Sequence, residues 1–141
     1  MEDPYDLARF VEAQRGTYDQ ALRELTAGRK QTHWMWFIFP QIAGLGFSAM
    51  AQRYAISGLP EAQAYLRHPV LGERLRTCTA AVNALTGRTA HEVFGSPDDT
   101  KFRSSMTLFA RADTTEREFR AALDAYYGGQ EDPRTLEKLR V

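Results

Sequence analysis

The sequence predicts an all-α fold, a compact single-domain bundle of about seven to nine short and medium helices. Helix-capping residues, prolines at helix starts and glycines at helix ends recur along the chain, and apolar residues repeat between them at intervals of three and four. No stretch alternates apolar and polar residues for long enough to make a convincing strand. The 141 residues contain no Pro/Gly/Ser-rich linker, so we predict one helical domain over residues 1–141.

Capping residues and glycines predict the first two helices. Asp3-Pro4 fits an N-cap followed by proline at the first helical position, and that helix ends before Gly16. Thr17–Gln20 matches a capping box, and the helix that it begins ends at Gly28. The second helix therefore leads directly into an aromatic segment.

The sequence pattern of the aromatic segment fits two kinds of secondary structure. Residues Trp34–Phe39 suit either a buried strand or a short helix closed by Pro40. A serine N-cap then predicts a helix over about Ser48–Tyr54. Another helix covers Pro60–His68 and ends there, because the residue before a proline disfavours the helical conformation.

The second half of the chain carries the clearest helix. Its apolar stripe repeats at steps of four and three before Gly87 and consists of Leu71, Leu75, Cys78, Val82 and Leu85. We therefore place this helix at the centre of the bundle. Capping signals predict a short turn and three further helices, at Thr89–Glu92, Ser96–Asp99, Thr115–Glu118 and Asp132-Pro133.

Composition excludes several classes of partner. The 18 basic and 18 acidic residues give zero net charge, so the chain lacks the global positive field of a protein that binds nucleic acid or an anionic membrane. We expect neither partner, and any anion site must be local. The single cysteine, the absence of a long apolar run and an acidic N-terminal segment fit a cytoplasmic location. Because the three histidines are dispersed, we expect no metal and no cofactor.

The most distinctive segment is GRKQTHWMWFIFPQIAGLG, residues 28–46. Its candidate site residues are Arg29, Lys30, His33, Trp34, Trp36 and Gln41. Each indole has one N–H donor that needs a partner when buried, and the cations and the histidine add charge nearby. This mixture is typical of a pocket. The alternative is that the aromatic residues are core and that the histidine makes one structural hydrogen bond.

A helix over Pro97–Arg111 would place polar groups on its core-facing side. One stripe at intervals of three and four holds Asp98, Phe102, Ser105, Met106 and Phe109. Since a buried carboxylate must be paired, we predict that Asp98 lies within reach of a donor from Arg29 to Trp36. The alternative is that Asp98 caps only its own helix and that Ser105 bonds back to that helix.

Three segments in this order resemble the signatures of the bacterial family called domain of unknown function 1810, namely GRKQTHWMWFIFPQIAGLG, YLRHPVLGERL and FGSPDDTKFRSSMTLF. The resemblance extends from DLARFVEAQ to Leu139, and Thr32 and Phe102 stand where serine and leucine are usual. It implies a mainly helical fold and no established activity.

Two functions from different classes fit these segments. In the first, four cations neutralise a small anionic ligand, a nucleotide or a phosphorylated metabolite, and Trp34 or Trp36 stacks on its flat part. The cations are Arg29, Lys30, Lys101 and Arg103. The other predicted site residues are His33, Gln41, Asp98, Ser104 and Ser105. Whether such a site is also enzymatic is left open.

The second function is a non-catalytic protein-interaction module. Its aromatic segment would be partly exposed as an anchor patch rimmed by arginine. Burial separates the two functions. A concave cavity where the segments converge favours a ligand, whereas a flat exposed aromatic patch favours a partner protein.

Overall fold

A computed structural model describes residues 3–140. Within this range the chain forms ten α-helices and no sheet, which confirms the predicted class and slightly exceeds the predicted number of helices. The helices are α1 Ala8–Gln14, α2 Tyr18–Ala27, α3 Met35–Ile38, α4 Ala49–Arg53, α5 Leu59–Arg67, α6 Leu71–Asn83, α7 Ala90–Phe94, α8 Asp98–Ala112, α9 Arg117–Tyr127 and α10 Pro133–Leu139. No helix in residues 3–140 combines the length and the apolar character needed to span a membrane.

Several predicted helix starts are confirmed by their capping contacts. The Thr89 hydroxyl and the Glu92 carboxylate form the reciprocal bonds of a capping box at the start of α7. The side chains of Ser48 and Asp132 cap α4 and α10 in the same positions that the sequence predicts. Asp3 accepts hydrogen bonds from two backbone N–H groups of the first turn, although the regular α1 begins only at Ala8.

Two predicted capping boxes are wrong because their side chains have other partners. Thr17 makes no side-chain cap, and the reciprocal bond is also missing, because its backbone N–H donates to the Gln14 carbonyl and the Gln20 amide oxygen accepts from Arg23. Thr115 lies before α9, and its hydroxyl donates to the Asp113 carboxylate at 2.5 Å. Both helices nevertheless form close to the predicted places, because burial of their apolar faces stabilises them without a cap.

The centre of the core is α8, not α6 alone. Leu75 on α6 is 1% exposed, as predicted, and α6 packs against α2, α5 and α9. Helix α8 contacts α5, α7, α9 and α10, and every residue from Ser104 to Ala110 is buried. Serine, threonine and alanine on α8 let neighbouring helices approach on several sides, so this helix is enclosed all round.

The aromatic segment folds as the short helix α3, which decides between the two predicted structures. The rings of Phe39 and Phe102 are fully buried and meet edge to face at 4.9 Å between centroids. Phe94 stacks on Phe102 at 4.6 Å and meets Phe39 edge to face at 6.0 Å. These contacts fix the aromatic segment against the N-terminal half of α8, and this is why the two distinctive segments of the sequence meet in space.

Candidate functional site

The buried carboxylate of Glu24 binds the segment that follows α2 through several hydrogen bonds. We call Glu24 together with residues 28–34 the Glu24 loop. Oε1 accepts from the backbone N–H groups of Gln31 and Thr32 at 2.7 and 3.0 Å, and from the indole N–H of Trp34 at 2.9 Å. Oε2 accepts from the Thr32 hydroxyl at 2.6 Å and from the Gln20 amide at 2.8 Å. Burial raises the pKa of this carboxyl, but the hydrogen bonds outweigh burial and lower the pKa to about 2.

Glu24 is not among the residues predicted from the sequence, although one signal pointed to it. The residue lies on the same face of α2 as Ala21 and Leu25, which are fully buried. A carboxylate on a core-facing stripe needs several donors. Here the donors are the backbone of the next loop and an indole, so the Glu24 loop is a structural element that fixes the course of the chain into α3.

A second, partly buried charge cluster joins the two distinctive segments. The ammonium group of Lys30 lies 2.8 Å from Asp98 Oδ2, and the Lys30 side chain is only 7% exposed. Lys101 approaches the other oxygen of Asp98 at 3.5 Å. The two ammonium groups also lie over indole rings, Lys30 over Trp34 at 5.1 Å and Lys101 over Trp36 at 5.3 Å. The prediction that Asp98 pairs with a donor from Arg29 to Trp36 is confirmed, and the donor is Lys30.

The other residues predicted to converge there do not. Arg29 and His33 are exposed, and their side chains form no hydrogen bond or ion pair with another side chain of residues 3–140. Trp34 is fully buried and belongs to the core, so it cannot stack on a ligand. Ser105 is also fully buried, and its hydroxyl has no hydrogen-bond partner among the described residues.

A cleft of about 520 Å³ opens between the loop over residues 41–48, the first half of α8 and the start of α10. Four predicted site residues line the cleft: Gln41, Lys101, Arg103 and Ser104. The remaining predicted residues lie outside its lining: Arg29, Lys30, His33, Trp34, Trp36, Asp98 and Ser105. Trp36 lines a small adjoining cavity, to which Gln41 also contributes. The predicted convergence is therefore corrected to a cleft centred on the second distinctive segment.

The cleft also contains residues that were not predicted from the sequence. Arg134 and Phe47 contribute a cation and an aromatic ring, and Asp132 contributes the single carboxylate. With Lys101 and Arg103, three positive side chains face one negative side chain. A chain with zero net charge thus has a locally positive cleft.

The three cations of the cleft differ in how fully they are paired. Arg103 donates from Nε and Nη2 to two main-chain carbonyls before α10, at 2.9 and 2.8 Å, and its Nη1 has no hydrogen-bond partner in residues 3–140. Arg134 makes one long hydrogen bond, 3.4 Å from Nη2 to the Leu45 carbonyl. Lys101 shares the carboxylate of Asp98, whose nearer ammonium partner is Lys30. Donor capacity therefore remains at the cleft.

Ser104 and Asp132 have a structural relationship. The Ser104 hydroxyl donates to Asp132 Oδ2 at 2.9 Å. The same oxygen accepts from the backbone N–H and the hydroxyl of Thr135, at 3.1 and 2.6 Å, and so caps α10. Asp132 therefore ties α8 to α10 at the edge of the cleft, and the Ser104 hydroxyl takes part in that structural link.

The single cysteine is a core residue. Cys78 is 1% exposed, and burial raises the pKa of its thiol to about 12. Among residues 3–140, no three His, Cys, Asp or Glu side chains are grouped so that they could hold a metal ion.

The fold and the cleft define a small all-α protein with a locally basic cleft beside an aromatic core. The chain belongs to the family described as protein of unknown function (DUF1810), which it matches over residues 4–139. It is similar to the crystal structure of the conserved hypothetical protein Rv1873 from Mycobacterium tuberculosis, with 57% sequence identity, 99% of each chain covered and a TM-score of 0.97. No curated protein matches the sequence. The family assignment confirms the resemblance, and neither description names an activity.

Proposed function

We propose that the cleft binds a small anionic ligand, a nucleotide or a phosphorylated metabolite. The observation that carries the proposal is the lining of three cations and one carboxylate in a concave site of a chain with zero net charge. Guanidinium and ammonium groups form strong, charge-assisted hydrogen bonds with phosphate oxygens. A cleft of about 520 Å³ is also within the usual size range of small-molecule sites.

The pairing of the cations supports this proposal. Arg103 is already held by two main-chain carbonyls, so little side-chain entropy would be lost when its remaining Nη1 binds an anion. Arg134 is exposed and makes only one long hydrogen bond, so it can turn toward a ligand at little enthalpic cost. The proposal is for binding, and it assigns no reaction to the cleft. It includes a cytoplasmic location, expected from the single cysteine.

The burial of the aromatic segment favours a ligand over the alternative interaction module. Trp34, Phe37 and Phe39 are each at most 7% exposed, and Trp36 is half-buried beneath Lys101. An anchor patch requires several aromatic side chains that project into solvent. This segment does not supply such a patch.

Isothermal titration calorimetry of the purified chain with inorganic phosphate, ribose 5-phosphate and AMP tests the proposal. We expect at least one of these phosphates to bind, and Arg134→Ala and Lys101→Ala to weaken that binding by roughly tenfold or more. A ligand at about 100 times its Kd should stabilise the folded protein by about 2.7 kcal/mol, which a thermal-shift assay detects.

The matched control is Arg29→Ala, because Arg29 is also an exposed arginine but lies outside the cleft. Its affinity for the same phosphate should stay within about twofold of the wild type. Absence of binding for all three phosphates, or an equal loss in Arg29→Ala and Arg134→Ala, would contradict the proposed cleft.

A further inference from the structure

Phe47 lines the cleft and is far more exposed to solvent than any other phenylalanine of the chain. Its side chain is 80% exposed, whereas the other seven phenylalanines of the chain are all buried. Leaving a ring of this size in water forgoes the hydrophobic stabilisation that the other seven gain. The ring is therefore available for a contact outside the core.

The backbone that carries Phe47 is nevertheless well fixed. The Gln52 side chain donates to the Phe47 carbonyl at 2.7 Å, and the next residue, Ser48, caps α4 by accepting from the Ala51 N–H at 3.1 Å. Gly46 allows this loop to lie against α4, because a Cβ there would come within 2.9 Å of a side-chain carbon of that helix. The ring is thus presented from a fixed backbone and does not belong to a loose loop, which lowers the entropy lost when it contacts a ligand.

The same loop connects the ring to the cations. Phe47 and Arg134 both line the cleft, and the loop residue Leu45 is hydrogen-bonded to Arg134 two positions before the ring. A ligand that used both side chains would need an anionic group and a flat apolar group close together. Nucleoside phosphates have this combination, since the base stacks on an aromatic face and the phosphate pairs with guanidinium groups.

We infer, building on the proposed function, that the ligand is a nucleoside phosphate whose base stacks on Phe47 while its phosphate is held by Arg134, Arg103 and Lys101. The stacking residue is then neither of the indoles that the sequence predicts. Trp34 is fully buried, and the Lys101 ammonium lies over the ring of Trp36. A phosphorylated sugar without a base would use the cations but would gain little from Phe47.

A comparison of AMP with ribose 5-phosphate isolates the contribution of the base. We expect calorimetry to give a Kd for AMP that is at least roughly tenfold lower, which is the size of one base–aromatic stack. Phe47→Ala should remove this preference and leave the affinity for ribose 5-phosphate within about twofold. The fold should survive the substitution, because the side chain is 80% exposed.

Phe47→Trp provides the matched control and an optical signal. This variant should keep the preference for AMP. Addition of AMP should change its tryptophan fluorescence more than it changes that of the wild type, whereas ribose 5-phosphate should cause no such additional change. Equal affinities of the wild type for AMP and ribose 5-phosphate, or unchanged AMP binding by Phe47→Ala, would overturn the inference and leave the anion site intact. Failure of every phosphate to bind would overturn both proposals, and an exposed Phe47 would then indicate a contact for a partner protein.

Discussion

The Glu24 loop and the cleft both gather charged and aromatic side chains, but their polar groups differ in how fully they are paired. The Glu24 carboxylate accepts five hydrogen bonds, from Gln20, Gln31, Thr32 and Trp34. In the cleft, Arg134 makes one long hydrogen bond and the Nη1 of Arg103 has no partner in residues 3–140. A region whose donors and acceptors are satisfied stabilises the fold, whereas a region with spare donors at a concave surface is suited to binding.

The largest effect that tests this difference is expected from Glu24→Ala. The substitution leaves two backbone N–H groups and the Trp34 indole without their acceptor, and the indole belongs to a fully buried side chain. We expect a loss of about 3–5 kcal/mol in the free energy of unfolding, measured by chemical denaturation at pH 7. A loss below about 1 kcal/mol would show that the Glu24 loop does not depend on its carboxylate.

The pH dependence of stability is a second test of the same carboxylate. Hydrogen bonding lowers the pKa of Glu24 from 4.5 to about 2, so the ionised form stabilises the folded state above pH 4.5 and this contribution is lost as the pH falls toward 2. A shift of this size corresponds to about 3 kcal/mol. Denaturation curves collected from pH 6 to pH 2 should therefore be less steeply pH-dependent for Glu24→Gln than for the wild type.

Leu75→Ala serves as the control for that measurement. The side chain is 1% exposed, and its truncation should cost about 2–5 kcal/mol through the cavity that it leaves. Because this substitution removes no titrating group, the free energy of unfolding of Leu75→Ala should decrease with falling pH by the same amount as that of the wild type. If Glu24→Gln also parallels the wild type, the low pKa assigned to Glu24 is wrong.

The two lysines that pair with Asp98 should differ in how much each contributes to the stability of the fold. The Lys30 side chain is 7% exposed and lies 2.8 Å from the carboxylate, whereas the Lys101 side chain is 26% exposed and lies 3.5 Å away. Lys30→Met should cost about 2 kcal/mol, since it leaves a partly buried carboxylate with only its longer ion pair to Lys101. Lys101→Met should cost at most about 1 kcal/mol, because a more exposed pair contributes less. Equal losses, measured by chemical denaturation, would place both lysines in the same structural role.

The fold was predictable from the sequence because its signals are local. Capping at Thr89 and Asp132 and the stripe that contains Leu75 depend on residues within a few turns of one another, and all three are confirmed. The boxes at Thr17 and Thr115 are wrong because other partners take their hydrogen bonds, and a short motif does not show such competition.

The site was predictable only in part, for a physical reason. The pairing of Asp98 follows from the cost of burying a lone carboxylate, which holds whatever the partner is. The cleft depends instead on contacts between distant parts of the chain, such as the one between Arg134 and Leu45, which are 89 positions apart. Phe47 looks like a core residue by type, and only its 80% exposure distinguishes it. The density of aromatic and charged residues marked the Glu24 loop, whose members are mostly structural.

The smallest effect on stability is expected from Arg134→Ala. A small effect would show that Arg134 contributes little to the fold and is free to bind a ligand. Arg134 is exposed and makes one hydrogen bond at 3.4 Å, so its loss should change the free energy of unfolding by no more than about 0.5 kcal/mol. The same substitution should remove one of the three cations that line the cleft and weaken phosphate binding by roughly tenfold or more. Denaturation and calorimetry on Arg134→Ala and Glu24→Ala therefore separate the two kinds of region. Under conditions in which it is still folded, Glu24→Ala should lose much stability and keep its affinity for phosphate. A loss of more than about 2 kcal/mol in Arg134→Ala would mean that the cation holds the loop over residues 41–48 in place, and the cleft would then be a structural element like the Glu24 loop.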